Sequence, residues 1–314
     1  MQGGDHGSAL QAATTQGSIS AVRLLHASGA DVNLTGGRHG SALQAAAARG
    51  DADVVRLLLQ MGANLYEVDG EHGTAIQTAA AFGHWEVFQL LLNRGADVDT
   101  GGGRYGSILH AAAIGKSLDV VKFLLGRGAD ATAITGQYGT VLQAAMARHD
   151  AKDNVIFKAD DRSHLELEEI TQLLVGHGAD VNAAGGVHET TLVLASLNRP
   201  KSTVELLLSL GANVNEQSVR FGSVLGAAVL GNNFDVARTL LDHGADINVQ
   251  CGEYGSILNA AMADMWTRAG MIQLLLDRGA DASHLSDLEK EKMPLILESH
   301  PDERLVEIFR WREY

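Results

Sequence analysis

Cysteine is almost absent from this chain of 314 residues: Cys251 stands alone, so no intrachain disulfide can form, which points to a reducing cytoplasmic or nuclear setting. Long apolar runs are missing as well. None approaches the ~20 residues that a membrane-spanning helix needs, and Met1-Gln2-Gly3-Gly4-Asp5 offers no basic stretch ahead of an apolar core, so neither a membrane span nor a secretory signal is expected. Basic residues are scarce, 24 against 38 acidic ones, and the resulting net charge of −14 repels phosphate backbones and anionic lipid surfaces. Nucleic acid is therefore not expected as a partner. Disorder is excluded by a hydrophobic content of 46%.

What is present is a beat. Gly-Ala-Asp or Gly-Ala-Asn begins at Gly29, Gly62, Gly95, Gly128, Gly178, Gly211, Gly244 and Gly279, at intervals of 33, 33, 33, 50, 33, 33 and 35 residues. A period this strict marks a repeat array, in which each unit is stable only against its neighbours. In the second unit Ser41 supplies an N-cap hydroxyl, and Ala42-Leu43-Gln44-Ala45-Ala46-Ala47-Ala48-Arg49 continues in strong helix formers. Gly50-Asp51 breaks that helix. Ala52 to Gln60 then places valines and leucines at helical spacing, predicting a second, antiparallel helix. Gly62 falls where a helix end needs positive φ, and a polar, glycine-bearing, hairpin-like stretch follows.

Gly-Ala-Asp-Val-Asn, then Ser-Ala-Leu-Gln-Ala-Ala, two helices and a 33-residue period resemble the ankyrin repeat. The resemblance implies an all-α solenoid of helix-turn-helix units joined by β-hairpin-like loops. The family's Thr-Pro-Leu-His signature is written here without proline as Ser41 to Gln44, Thr74 to Gln77, Ser107 to His110 and Thr140 to Gln143. With Gly-Gly-x-Tyr/His-Gly ahead of helix 1, this dialect is similar to the long ankyrin arrays of filamentous fungi. Eight units are expected over residues 1–282 and a degenerate C-terminal capping repeat over 283–314, where Asp302 to Trp311 keeps one apolar and one charged face.

Two intervals are irregular. The 50-residue one places an insertion between the helices of unit five, at about 146–169, with Ser163 and Glu166 as a capping box for helix 2 and Val155-Ile156-Phe157 as an apolar segment. Ile156 and Phe157 are candidate anchors of a partner-specific finger; a tolerated surface loop is the plainer alternative. The Asp-rich spacing there lacks an EF-hand's alternating ligands, central glycine and final Glu, so no metal is expected. The 35-residue interval adds two residues around Asp264-Met265-Trp266.

Ahead of each helix 1 glycine runs a ring stripe: His6, His39, His72, Tyr105, Tyr138, His188, Phe221 and Tyr254. Equivalent residues of adjacent units stand about 8–10 Å apart, too far for the histidines to share one zinc ion. The rings are either a structural ladder against the next hairpin or a recognition stripe, for which Tyr105, Tyr138, Phe221 and Tyr254 are candidates. Late helix 1 positions, Arg49, Phe82, Ile114, Arg148, Asn198, Leu230 and Asp264, vary between units. Of these Phe82, Ile114 and Leu230 form either a ligand patch or packing between units, and Arg49 and Arg148 join them as partner-binding candidates, with Arg38 and Arg104 at hairpin tips. No repeated motif supplies a nucleophile, base and orienting group, and the glycine-rich tips lack a phosphate-loop lysine. The reading is a non-enzymatic module without cofactor that binds a protein or peptide on the concave face of hairpin tips and helix 1 surfaces. The alternatives are an enzyme built around His149, His164, Asp150, Asp153, Asp160 and Asp161, or a regulatory segment of a larger signalling protein.

Overall fold

The computed structural model describes residues 7–99, 101–147, 161–185, 189–263 and 269–283. It divides into two compact units, Met1–His188 and Glu189–Tyr314.

In the first unit, helices alternate as short first helices and longer second ones: α1 (Ala9–Thr15), α2 (Ile19–Ala27), α3 (Ala42–Arg49), α4 (Ala52–Gln60), α5 (Ala75–Ala81), α6 (Trp85–Asn93), α7 (Ile108–Ile114), α8 (Leu118–Gly126), α9 (Val141–Met146) and α10 (Asp161–Gly176). Each first helix is started by a hydroxyl. Ser8, Ser41, Thr74, Ser107 and Thr140 accept from the backbone N–H three residues on, which removes one of the donors a helix start leaves open. Antiparallel bridges Gly36↔Gly40, Gly102↔Gly106 and Ile134↔Thr140 close the hairpins.

Small side chains let the first helices stack. Ala45, Ala46, Ala47, Ala79, Ala80, Ala81, Ala111, Ala112 and Ala113 are all buried, and α1, α3, α5, α7 and α9 pack in succession. At Gly115 an added Cβ would lie 2.3 Å from the Ala81 carbonyl oxygen, so the approach admits only glycine. The aliphatic rows of the second helices fill the space behind: Val54, Val55, Leu58, Val87, Leu91, Val120, Val121 and Leu124 are buried, each large aliphatic contributing about 1.5–3 kcal/mol.

Helix α9 opens on schedule, as the Thr140 signature predicts. Helix α10 begins at Asp161, so Ser163 lies inside its first turn instead of capping it, and α10 runs 16 residues where α8 has nine. The candidate finger, Ile156 and Phe157, lies outside the described residues, as do Arg148, His149, Asp150, Asp153 and Asp160; the side chains of Asp161 and His164 do too.

The second unit contains α11 (Thr191–Asn198), α12 (Lys201–Ser209), strands β1 (Gln217–Ser218) and β2 (Gly222–Ser223), α13 (Val224–Leu230), α14 (Phe234–Asp242), a 3-10 turn at Gly252–Tyr254, α15 (Ile257–Met262) and α16 (Ala269–Asp277). The strands pair antiparallel with Gln217↔Ser223 and Ser218↔Gly222 in register. Here α11, α13 and α15 pack in succession, as do α12, α14 and α16. Asp264, Trp266 and all but Ser283 of the proposed cap over 283–314 fall outside the described residues.

Candidate partner-binding surface

In the first four repeats the fourth residue of the helix 1 signature is a latch. Gln11 Nε2 donates to the carbonyl oxygens of Gly36 (3.0 Å) and Gly40 (2.6 Å) on the next hairpin. Gln44 Nε2 reaches Asp69 (2.6 Å) and Gly73, and Gln77 Nε2 reaches Gly106 (3.0 Å). The amide oxygens of Gln11, Gln77 and Gln143 turn back to accept from the N-cap backbones of Ser8, Thr74 and Thr140. One side chain thus fixes both its own helix start and the hairpin of the next repeat. At the fourth repeat His110 does the same work: Nε2–H donates to the Gly139 carbonyl at 3.0 Å, and Nδ1 takes the Ser107 hydroxyl at 2.7 Å. Burial holds the His110 imidazole below the ordinary histidine range, against the opposing pull of the Gly139 and Ala133 carbonyls. Burial likewise lowers His84, whose Nε2 lies 3.0 Å from the Ala48 carbonyl oxygen of the preceding repeat.

In the second unit the latch positions are Val193, Gly226 and Asn259. Where Gly226 has no side chain, Cys251 Sγ would stand 3.0 Å from an added Cβ, and it donates instead to the Phe221 carbonyl at 3.4 Å. Burial pushes the Cys251 thiol up to about 11.

The ring stripe is a stack. Centroids of His39 and His72 lie 6.2 Å apart, those of His72 and Tyr105 5.8 Å apart with planes 13° from parallel, and those of Tyr105 and Tyr138 6.2 Å apart at 16°. Arg104 Nη2 donates to Tyr105 Oη at 3.3 Å, which leaves the phenol proton for His72 Nδ1 at 2.9 Å. Tyr105 is 0% exposed and His72 1%. Recognition by Tyr105 is thereby corrected: its ring faces are spent on His72 and Tyr138, and no edge reaches solvent. Phe221, 7% exposed, is buried with Arg220 over its ring at 5.2 Å, so it too supports a surface instead of forming one. Tyr138 and Tyr254 remain half-buried. His6 and His188 are outside the described residues.

The late helix 1 residues do not share one register. Phe82 is the C-cap of α5, whereas Ile114 and Leu230 are the last helical residues of α7 and α13. Phe82 and Ile114 are each 4% exposed, and the Phe82 ring meets His72 edge-on at 5.1 Å. Both therefore pack between neighbouring repeats, and the ligand patch assigned to them is withdrawn. Leu230 is half-buried, while Arg49 is exposed, with Nη1 on the Thr15 carbonyl at 3.0 Å and Nε 3.8 Å from Asp51.

Accessible charge sits at the hairpin tips. Glu71 Oε2 lies 3.6 Å from Arg38 Nε and 3.9 Å from Arg104 Nη1, forming one row over the ring stack. Glu71 was missed in the sequence, although it stands 33 residues from Arg38 and 33 from Arg104, in phase with both. Among the described residues, no group of three or more His, Cys, Asp or Glu side chains is placed to hold a metal ion, and no helix is long and apolar enough to cross a membrane.

A family model described as ankyrin repeats (3 copies) matches residues 9–102, 46–135, 109–218 and 163–251. No curated protein matches the chain. Among solved structures, the crystal structure of the human ASB11 ankyrin repeat domain is similar, with 24% identity, a TM-score of 0.57, and coverage of 76% of this chain and 99% of that one. At that identity the likeness speaks for the fold.

Proposed function

This chain belongs to the ankyrin-repeat family, a family of protein-interaction modules, and from that premise we propose that it is a non-enzymatic module, working in the cytoplasm or nucleus, that binds a protein or peptide on its hairpin tips and helix 1 surfaces. One observation carries the choice of face: the Arg38–Glu71–Arg104 row, repeated in phase and held over a buried ring stack. The ladder makes the tips rigid, which lowers the entropy lost when a partner orders them. At 3.6 and 3.9 Å these ion pairs are long, and with Glu71 exposed they contribute little to folding, so a partner's charges replace them at low cost. Arg49 extends the same surface at the end of α3. Half-buried Tyr138 supplies apolar contact in the first unit, and half-buried Leu230 and Tyr254 offer it in the second.

The test is charge reversal. Wild type and an Arg38→Glu/Arg49→Glu/Glu71→Lys variant are compared for recovery of partners from lysate, with circular dichroism melts as the folding check. Recovery should fall at least about tenfold, the equivalent of ~1.4 kcal/mol. Equal recovery by a folded variant would sink this choice of face.

A further inference from the structure

The second-helix face of the first unit carries an aromatic cluster that the repeat does not require. Trp85, Phe88 and Phe123 lie with each pair of ring centroids 5.8 Å apart. One repeat away in either direction, the equivalent positions hold Ala52 and Leu118, Val55 and Val121, and for Phe123 the preceding Leu90. Phe88 is buried, while Trp85 and Phe123 are half-buried and reach the surface. Arg127 lies across Phe123, its guanidinium carbon 4.7 Å from the ring centroid.

Gly126 leaves the end of this face uncovered. It is the last residue of α8, three residues after Phe123 and so on the same face. Its backbone is not in the left-handed region, and an added Cβ would meet nothing within 4 Å. Neither strain nor close packing explains a glycine there, and glycine weakens a helix relative to alanine. The preceding repeats carry Gln60 and Asn93 at this place, and the next carries Gly176 at the end of α10.

The charges point to the occupant. Arg56, Lys122 and Arg238 on second helices, and Arg278 just after α16, are each ion-paired. Arg127 and its counterpart Arg94, C-caps of α8 and α6, are exposed, and among the described residues neither forms an ion pair. A cation at a helix C-terminus is favourable, which accounts for their placement and leaves both N–H forks open. The nearby Asp130 carboxylate is engaged in its own turn, accepting from Thr132 N at 2.8 Å and Thr132 Oγ1 at 2.6 Å. Equivalent points on neighbouring helices stand about 8–10 Å apart, the distance that three residues of a polyproline-II chain span at about 3.1 Å each, with the third residue back on the same face.

We infer that this face is a second docking surface, separate from the hairpin tips, for an acidic segment of a partner protein in polyproline-II conformation, with two carboxylates three residues apart and an apolar side chain between them. The carboxylates take the Arg94 and Arg127 forks in charge-assisted pairs, and the apolar side chain lies on the exposed edges of Phe123 and Trp85. A long polyanion is disfavoured by the net charge of −14, which repels it at a distance.

The experiment pans a phage-displayed library of random dodecapeptides against the full chain, against Gly126→Leu/Arg127→Gln, and against Phe123→Leu, which restores the aliphatic residue of the preceding repeat. Wild type should enrich clones bearing acidic residues three apart around an apolar one. Synthetic peptides from those clones should bind at least about tenfold more weakly, by fluorescence anisotropy, to either variant and to Arg94→Gln. They should bind undiminished to the hairpin-tip charge-reversal variant, so failure here and failure of the hairpin-tip reading remain separable. Enrichment without acidic residues, or equal binding to wild type and to folded variants, overturns the inference.

Discussion

Substituting His110 with Gln should remove a measurable part of the protein's acid sensitivity while leaving its neutral-pH stability almost unchanged. The His110 side chain is 0% exposed, its Nε2–H is committed to Gly139, and its Nδ1 accepts from Ser107. A second proton on Nδ1 displaces the hydroxyl donor and puts a charge in a buried place where, among the described residues, no carboxylate pairs with it. Because burial lowers the folded-state pKa below that of the unfolded chain, the unfolded state takes up the proton first. The contribution to stability is complete above the unfolded value, about 6.5, and is lost as pH falls through the folded value. Within that window each excess proton bound by the unfolded chain costs about 1.4 kcal/mol per pH unit. Gln44 makes the same latch to Asp69 and Gly73 without a titrating group, so His110→Gln should shift neutral-pH stability by no more than about 1.5 kcal/mol. The assay is urea unfolding followed by circular dichroism between about pH 7.5 and about pH 5.5. Wild type should lose stability faster than the variant as pH falls, with His84, shifted in the same direction, leaving the variant a residual slope. Parallel curves for the two proteins would refute the assignment, as would a wild type that gains stability on acidification.

Three further outcomes follow from the same packing. Tyr105→Phe removes the hydroxyl that joins Arg104 to His72; urea unfolding should show a loss of about 1–3 kcal/mol, the cost of orphaning buried polar groups. Cys251 is buried with its thiol pushed up to about 11, so a thiol-specific chromogenic reagent should label it only after denaturation, and rapid labelling of the native chain would contradict its placement. Arg56→Ala breaks pairs with Asp53 at 2.6 Å and Glu86 at 2.9 Å, yet those groups are exposed, and the melting transition should reflect a change below about 1 kcal/mol.

Much of the scaffold was legible because it repeats. The hydroxyl before each alanine-rich run identifies the N-cap, and Ser41, Thr74, Ser107 and Thr140 all act as such. The Gly-Ala-Asp beat locates the turns, where Asp31, Asp97 and Asp130 accept from the backbone two residues on. The surface was harder to read. Ile114 and Phe82 look alike in a list of late helix 1 residues, but they differ by one place in register and both turn inward. The aromatic departures at Trp85 and Phe123 were visible in the sequence only against the aliphatic residues of adjacent repeats, a comparison across helices 2 that the conspicuous ring stripe draws attention away from.

By itself the sequence determined the period, the order of short and long helices, and the chemistry at each phase, because capping, helix propensity and positive-φ turns are local properties that recur wherever the same residues recur. Tertiary structure alone decided which ring or aliphatic side chain is covered. Burial of Tyr105, Phe82 and Ile114 depends on what the neighbouring repeat places within about 4–6 Å, and that is a relation between residues some 33 positions apart, which no local pattern encodes.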